Sequence, residues 1–225
     1  MIENLPASIS LIFILTTLVS VWLFFRAAQG SIKAVIAIIA WLIIQALIAL
    51  SGFYLETNSF PPRFVLVIGP PFLLILFLFV TSKGRKLIDK LDPAKLTYLH
   101  VVRIPVEITL LYLFLYKQVP QLMTFEGRNF DILSGLSAPV VAYFGYKKMK
   151  LSKTILLIWN FICLGLLINI VINAVLSVPF PFQKFAFDQP NTAVLYFPFV
   201  WLPACIVPLV LFAHLSCIRR LVLQK

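Results

Sequence analysis

Acidic residues are the scarcest chemistry in this chain: 8 Asp and Glu stand against 19 Lys and Arg, and charged residues of all kinds make up only 12% of 225. A water-soluble domain of this length cannot cover its surface with so little charge, so that class is excluded. Cysteine is equally sparse. Cys163, Cys205 and Cys217 all fall in apolar stretches without a CxxC spacing, which excludes a disulfide framework and a thiolate metal motif. Each reads as a small buried hydrophobe. The signatures GxSxG, HExxH, P-loop and GxGxxG are all absent, and with them the soluble enzyme classes they mark. Long polar stretches are missing too, so no soluble domain fits between the apolar runs.

What is present is apolar: 61% of the residues are hydrophobic and the mean hydropathy is +1.01. A window of about 19 residues finds seven runs long enough to cross roughly 30 Å of hydrocarbon as helices. They cover 8–26, 33–54, 64–82, 95–116, 130–146, 153–177 and 193–218. The fold expected is therefore an all-α polytopic membrane protein with seven transmembrane helices in a single domain. The fifth run is interrupted by Gly135, Ser137 and Pro139. The first lacks a basic leader and a small-residue cleavage site before Arg26, so it is expected to be a retained span rather than a signal peptide.

The cations support this parsing. Fourteen of the 19 Lys and Arg fall in alternate gaps: Arg26 and Lys33; Lys83, Arg85, Lys86, Lys90 and Lys95; Lys147, Lys148, Lys150 and Lys153; and Arg219, Arg220 and Lys225 in the tail. Cytoplasmic loops keep the cations, so the N-terminus is expected outside and the C-terminus inside, in a bacterial inner membrane. The net charge of +11 then reflects topology and contact with anionic headgroups, with no nucleic acid as a partner.

Spans one to three can be laid over spans five to seven. In each triplet a basic loop ends in Ser and Lys (Ser31, Lys33; Ser152, Lys153), and a Pro-containing outer loop follows. The third span of each is broken by prolines, Pro70 and Pro71 in one and Pro203 and Pro208 in the other. A single fourth span lets both triplets share one orientation. This 3+1+3 parallel plan resembles that of SWEET-type sugar transporters and of microbial rhodopsins. The resemblance covers the architecture of the whole chain and no motif. Residues 193–218 contain no Lys for a retinal Schiff base, and Pro120-Gln121 lies outside the helices where a PQ signature belongs.

Functional chemistry concentrates in the fourth span. His100, Arg103 and Glu107, at spacings of three and four, share one helical face. That face must look into protein or water, because Arg exposed to lipid at mid-depth costs at least about 2.5 kcal/mol. Two readings stay open. Arg103 and Glu107 form an intrahelical ion pair that locks the span between the triplets, or they form a site in which Arg103 holds an anionic group and Glu107 exchanges protons or binds a cation. Pro105 between them loosens the backbone ladder.

Other polar residues extend the possibilities. His214 sits at the same expected depth as His100, and the two are the only candidates for haem or metal ligation, a weak pattern with no HxxxH and no carboxylate beside His214. In the sixth span Asn169 and Asn173 are one turn apart, and they serve either as interhelical glue or as lining of the same cavity. Gln45 and Asn160 add amides in the second and sixth spans. The polar stretch Met123 to Asp131 precedes the fifth span. There Asn129 or Asp131 caps the helix, Glu126 and Arg128 form a surface pair, and the loop as a whole can gate access together with the Pro70-Pro71 break.

These residues point to a small transporter or permease for an anionic or zwitterionic solute, working as an oligomer, with Arg103, Glu107, Asn169, Asn173 and His100 at the site. An accessory subunit packed within a larger membrane complex is the first alternative. A haem- or lipid-binding protein, or an enzyme acting on lipid, is the second. Intramembrane enzymes draw on more catalytic acids and histidines than this chain offers, so the reading leans away from catalysis.

Overall fold

The apolar runs become helices in a computed structural model that describes residues 2–223; Lys225 of the basic tail lies outside them. The chain is 71% helical, with no strand among the described residues. Five helices are long and apolar enough to cross a membrane, and a bent pair makes a sixth. The first two are α1 (Ala7–Ala27) and α2 (Ile32–Leu50). The second ends earlier than expected, because Gly52 turns the chain with a φ of 76° into a short 3-10 turn over Phe53–Leu55.

The third run forms α3 (Val65–Val80), and a turn of 96° follows into α4 (Ser82–Ile88). The turn is built at Thr81, whose Oγ1 accepts from Gly84 N at 3.1 Å. Gly84 lies so close to the Leu78 carbonyl that no Cβ fits there. The break expected at Pro70 and Pro71 is therefore displaced by about three turns, and α3 runs through both prolines. Pro70 cannot donate to the Leu66 carbonyl, and the Gln45 amide of α2 faces that oxygen instead at 3.4 Å.

The fourth run is α5 (Pro93–Leu99), a 3-10 turn over His100–Val102, and α6 (Arg103–Leu115), together one apolar span. Asp92 caps it by accepting from Ala94 N and Lys95 N, with Pro93 in the favoured first position. The tightened turn lies just ahead of Pro105, which has no N–H for the Val101 carbonyl. The fifth run yields α7 (Ile132–Val141) followed by π turns over Ala142–Lys147, too short to count among the spanning helices by length. The sixth is α8 (Lys153–Val175), capped by Ser152.

The seventh run starts later than the sequence predicts. Residues 193–201 hold a 3-10 turn and irregular chain, π turns cover Leu202–Ile206, and α9 spans Val207–Leu223. Pro198 and Pro203 explain the shift, since helix is disfavoured before a proline and Pro203 suits a first turn. Pro208 frees the Ala204 carbonyl, which accepts from Trp41 Nε1 at 3.0 Å. Trp41 and Gln45, one turn apart on α2, thus replace the donors that prolines remove from two other helices.

The α5–α6 span sits at the centre, packed against α1, α7 and α9. Lipid is as apolar as a Leu side chain, so tight contact and polar bonds hold such helices together. The crossing of α7 on α6 is at Gly135, where an added Cβ would stand 2.9 Å from Ile104 Cγ1. Gaps with many cations meet at one end: Arg219 pairs with Asp89, Arg220 donates to the Leu91 carbonyl, and Gln29 donates to Lys90 O. The cation-poor gaps meet at the other, through Thr192 N on Gln118 O and the Phe64 and Phe180 rings.

Candidate functional site

Among the described residues Arg103 is the one cation placed inside the bundle, and it is 2% exposed. The partner it finds is not Glu107. Arg103 Nη1 lies 2.6 Å from Asp131 Oδ1, and the same nitrogen is 3.5 Å from the Cys163 carbonyl. The intrahelical pair expected between Arg103 and Glu107 gives way to a tertiary one, because α7 delivers Asp131 directly over the guanidinium. Asp131 accordingly does not cap α7. Asn129 forms a turn just ahead of the helix instead, its Oδ1 accepting from Asp131 N at 3.1 Å.

Arg103 Nη2 stands 3.0 Å from His214 Nε2. Guanidinium nitrogens only donate, so Nε2 of His214 accepts and its proton sits on Nδ1. Nδ1 then donates to Asn160 Oδ1 at 3.0 Å, while the Asn160 amide donates to Leu156 O at 2.9 Å. Each atom along Asp131, Arg103, His214 and Asn160 has a consistent role, and the chain ties α7, α6, α9 and α8 together. His100 stacks on His214 with ring centroids 3.9 Å apart and an interplanar angle of 19°, so the fourth and seventh spans do touch. Trp159 closes the edge of both rings at 5.6 and 5.7 Å.

Neither ring nitrogen of His100 has a partner, although the residue is fully buried. Both nitrogens of His214 are committed, and the two rings meet by their faces rather than by converging lone pairs. Among the described residues no group of three or more His, Cys, Asp and Glu is placed to hold a metal ion.

Glu107 belongs to a second strand of the same network. Its Oε1 accepts from Asn129 Nδ2 at 2.6 Å, and that amide also donates to Met123 O at 3.0 Å. The loop from Pro120 to Asp131 therefore dips into the bundle, with Thr124 and Asn129 fully buried. Gly127 makes the dip feasible, since a Cβ there would run into the Gln121 carbonyl. Glu126 and Arg128 are exposed and are not paired with each other.

Arg103, Glu107 and Asp131 form the polar end of a cavity of about 110 Å³ whose other walls are apolar except at Asn191. It runs along α8 from Leu167 to Val175, about 12 Å at 1.5 Å per residue, and reaches Phe64 and Asn191 at the cation-poor end. Three buried polar atoms of its lining residues lack partners: Arg103 Nε, Glu107 Oε2 and Asn191 Oδ1. A buried polar atom left unpaired costs about 1–3 kcal/mol, which sets these three side chains apart along the cavity.

The remaining sequence candidates lie elsewhere. Asn173 donates to the Asn169 carbonyl on its own helix, and Asn169 donates to Arg128 O at 3.0 Å, so neither lines the cavity. On α8 the wall positions are taken by Leu167, Ile170, Val171 and Ala174. Pro70 and Pro71 line a separate apolar groove between α2, α3 and α9. Asn191 was not singled out by sequence reasoning; a lone Asn in a Pro- and Phe-rich gap carries no spacing signal.

No curated protein and no solved structure matches the chain at a significant level. A family described as Domain of unknown function (DUF8737) matches residues 61–222, a segment that contains Arg103, Glu107, Asn129, Asp131, Asn160, Asn191 and His214 and leaves out α1 and α2. That match covers most of the 225 residues, so the chain belongs to the DUF8737 family.

Proposed function

We propose that this protein is a membrane-embedded carrier for a small amphipathic solute with a zwitterionic or hydroxylated head. The observation that carries the reading is the cavity: apolar walls that reach Arg103 and Glu107, one turn apart, whose buried Nε and Oε2 have no partner. Glu107 accepts from the solute head and Arg103 donates to it. A purely anionic solute fits less well, because it would have to displace Asp131 from the guanidinium. Asn191 at the other end favours a solute with a second donor.

The carrier sits in a bacterial inner membrane with seven spans, its N-terminus outside and its basic loops inside, as a 3+1+3 arrangement. In support, the cation-rich gaps meet at one end of the bundle, and α7 with its π turns occupies the place of the short fifth span. Only 17% of the α2 span is buried, which makes α2 the helix through which a second copy or a larger complex would be met.

Solvent extracts of detergent-purified wild type and of the cavity-filling variant Ala174→Trp, compared by mass spectrometry, test the reading. An amphipathic solute enriched at least tenfold in the wild-type extract is expected, and indistinguishable extracts refute it. Counterflow of that solute in proteoliposomes, abolished by Glu107→Leu, separates carriage from static binding.

A further inference from the structure

A second cavity, of about 350 Å³, lies between α2, α3 and α9. It shares no residue with the first. Its floor is Trp41, whose indole N–H is spent on the Ala204 carbonyl, and its walls include Ala37, Pro70 and Leu74. Nothing polar is offered inside. α2 and α3 flank the groove and make at most a marginal contact with each other, so it opens sideways to lipid.

The groove is directional. It extends to Ala34, Phe24 and Leu78, all at the cation-rich end of the bundle. Lys33 directly precedes Ala34 in the chain. The close approach of Gly84 to the Leu78 carbonyl, with the Thr81 cap, turns α4 by 96° across the end of α3. Lys83 and Arg85, both exposed, thus flank a glycine that packs on the backbone of Leu78, a residue of the groove wall.

Charge at this mouth is one-sided. The acidic residues of this end, Asp89 and Asp92, are engaged by Arg219 and Lys95. Among the described residues Lys33, Lys83 and Arg85 have no carboxylate partner. An apolar slot that ends under three uncompensated cations matches a molecule with an acyl chain and an anionic head. We infer that the groove between α2 and α3 is a binding site for an anionic phospholipid, its acyl chain on Trp41, Pro70 and Leu74 and its phosphate between Lys33, Lys83 and Arg85.

The site is tested on the full chain in detergent, titrated with phosphatidylglycerol or phosphatidylcholine of identical acyl chains, with bound lipid read by native mass spectrometry. Phosphatidylglycerol is expected to be retained at least tenfold more tightly. Joint replacement Lys33→Ala and Lys83→Ala is expected to lower its affinity about 25-fold, at about fivefold per cation, and to leave phosphatidylcholine unchanged. Ala37→Trp fills the groove and is expected to remove binding of both lipids, with Ala34→Phe as the milder block should the Trp variant fail to fold. Equal retention of the two lipids, unchanged binding by the double variant, or wild-type binding with the groove filled would each overturn the assignment.

Discussion

Removal of Asp131 gives the sharpest test of how the charged centre is held. Arg103 and Asp131 are 3% and 7% exposed in their side chains and stand 2.6 Å apart. Charges about 4 Å apart at an effective dielectric near 20 attract by about 4 kcal/mol. Asp131→Ala leaves the guanidinium buried and uncompensated, for which breaking a buried pair costs about 3–5 kcal/mol. For a chain of this length that corresponds to a melting point lower by about 6–20 °C. The double variant Arg103→Met with Asp131→Leu removes both charges and fills similar volume, so most of the loss is expected to return. Thermal unfolding of the purified protein in detergent reads all three. A shift under 2 °C for Asp131→Ala, or a double variant as unstable as the sum of the single ones, would refute the pairing.

Other parts of the network make independent tests. Asn160→Ala takes the acceptor from His214 Nδ1 and is expected to cost about 1–3 kcal/mol in the same unfolding assay, whereas Asn169→Ala, on an exposed position, should cost far less. Gly135→Val drives methyl groups toward Ile104, already 2.9 Å from an added Cβ, and is expected to destabilise by about 1–3 kcal/mol. Trp41→Phe leaves the Ala204 carbonyl without its replacement donor, at about 0.5–1.5 kcal/mol, and a change below the error of the unfolding curve would contradict the role of α2 in serving proline-freed carbonyls. For sidedness, Lys148→Cys and Arg128→Cys in intact cells should react oppositely with a membrane-impermeant maleimide, the former only after lysis; labelling of both from outside would reject the orientation.

Much of the helical framework was legible in the residues because the membrane imposes one rule, internal satisfaction of every backbone group, and apolar length reports it directly. Three of the cation-rich segments lie together at one end, through the Arg219–Asp89 and Gln29–Lys90 contacts. Prolines were harder to place. Pro70 and Pro71 carry the local signature of a break, yet α3 continues through them because Gln45 of another helix faces the freed carbonyl. The later start of the last helix was readable only from Pro198 and Pro203, whose effect competes with an apolar run that itself favours helix.

The same division runs through the site. Arg103 stood out because it alone breaks the pattern of cations, and its burial follows from its position in an apolar run. Which carboxylate neutralises it did not follow: Glu107 is one turn away and reachable, whereas Asp131 lies 28 residues on and reads as a helix cap. The choice depends on α7 crossing α6 at Gly135 and on Asn129 holding Glu107 aside. Composition and spacing thus determined that the chain is helical, with several helices long and apolar enough to cross a membrane and one anomalous cation within them. Tertiary structure alone decided its partners, the tautomer of His214 and the cavity at Glu107, because those depend on distances between helices that no local spacing encodes.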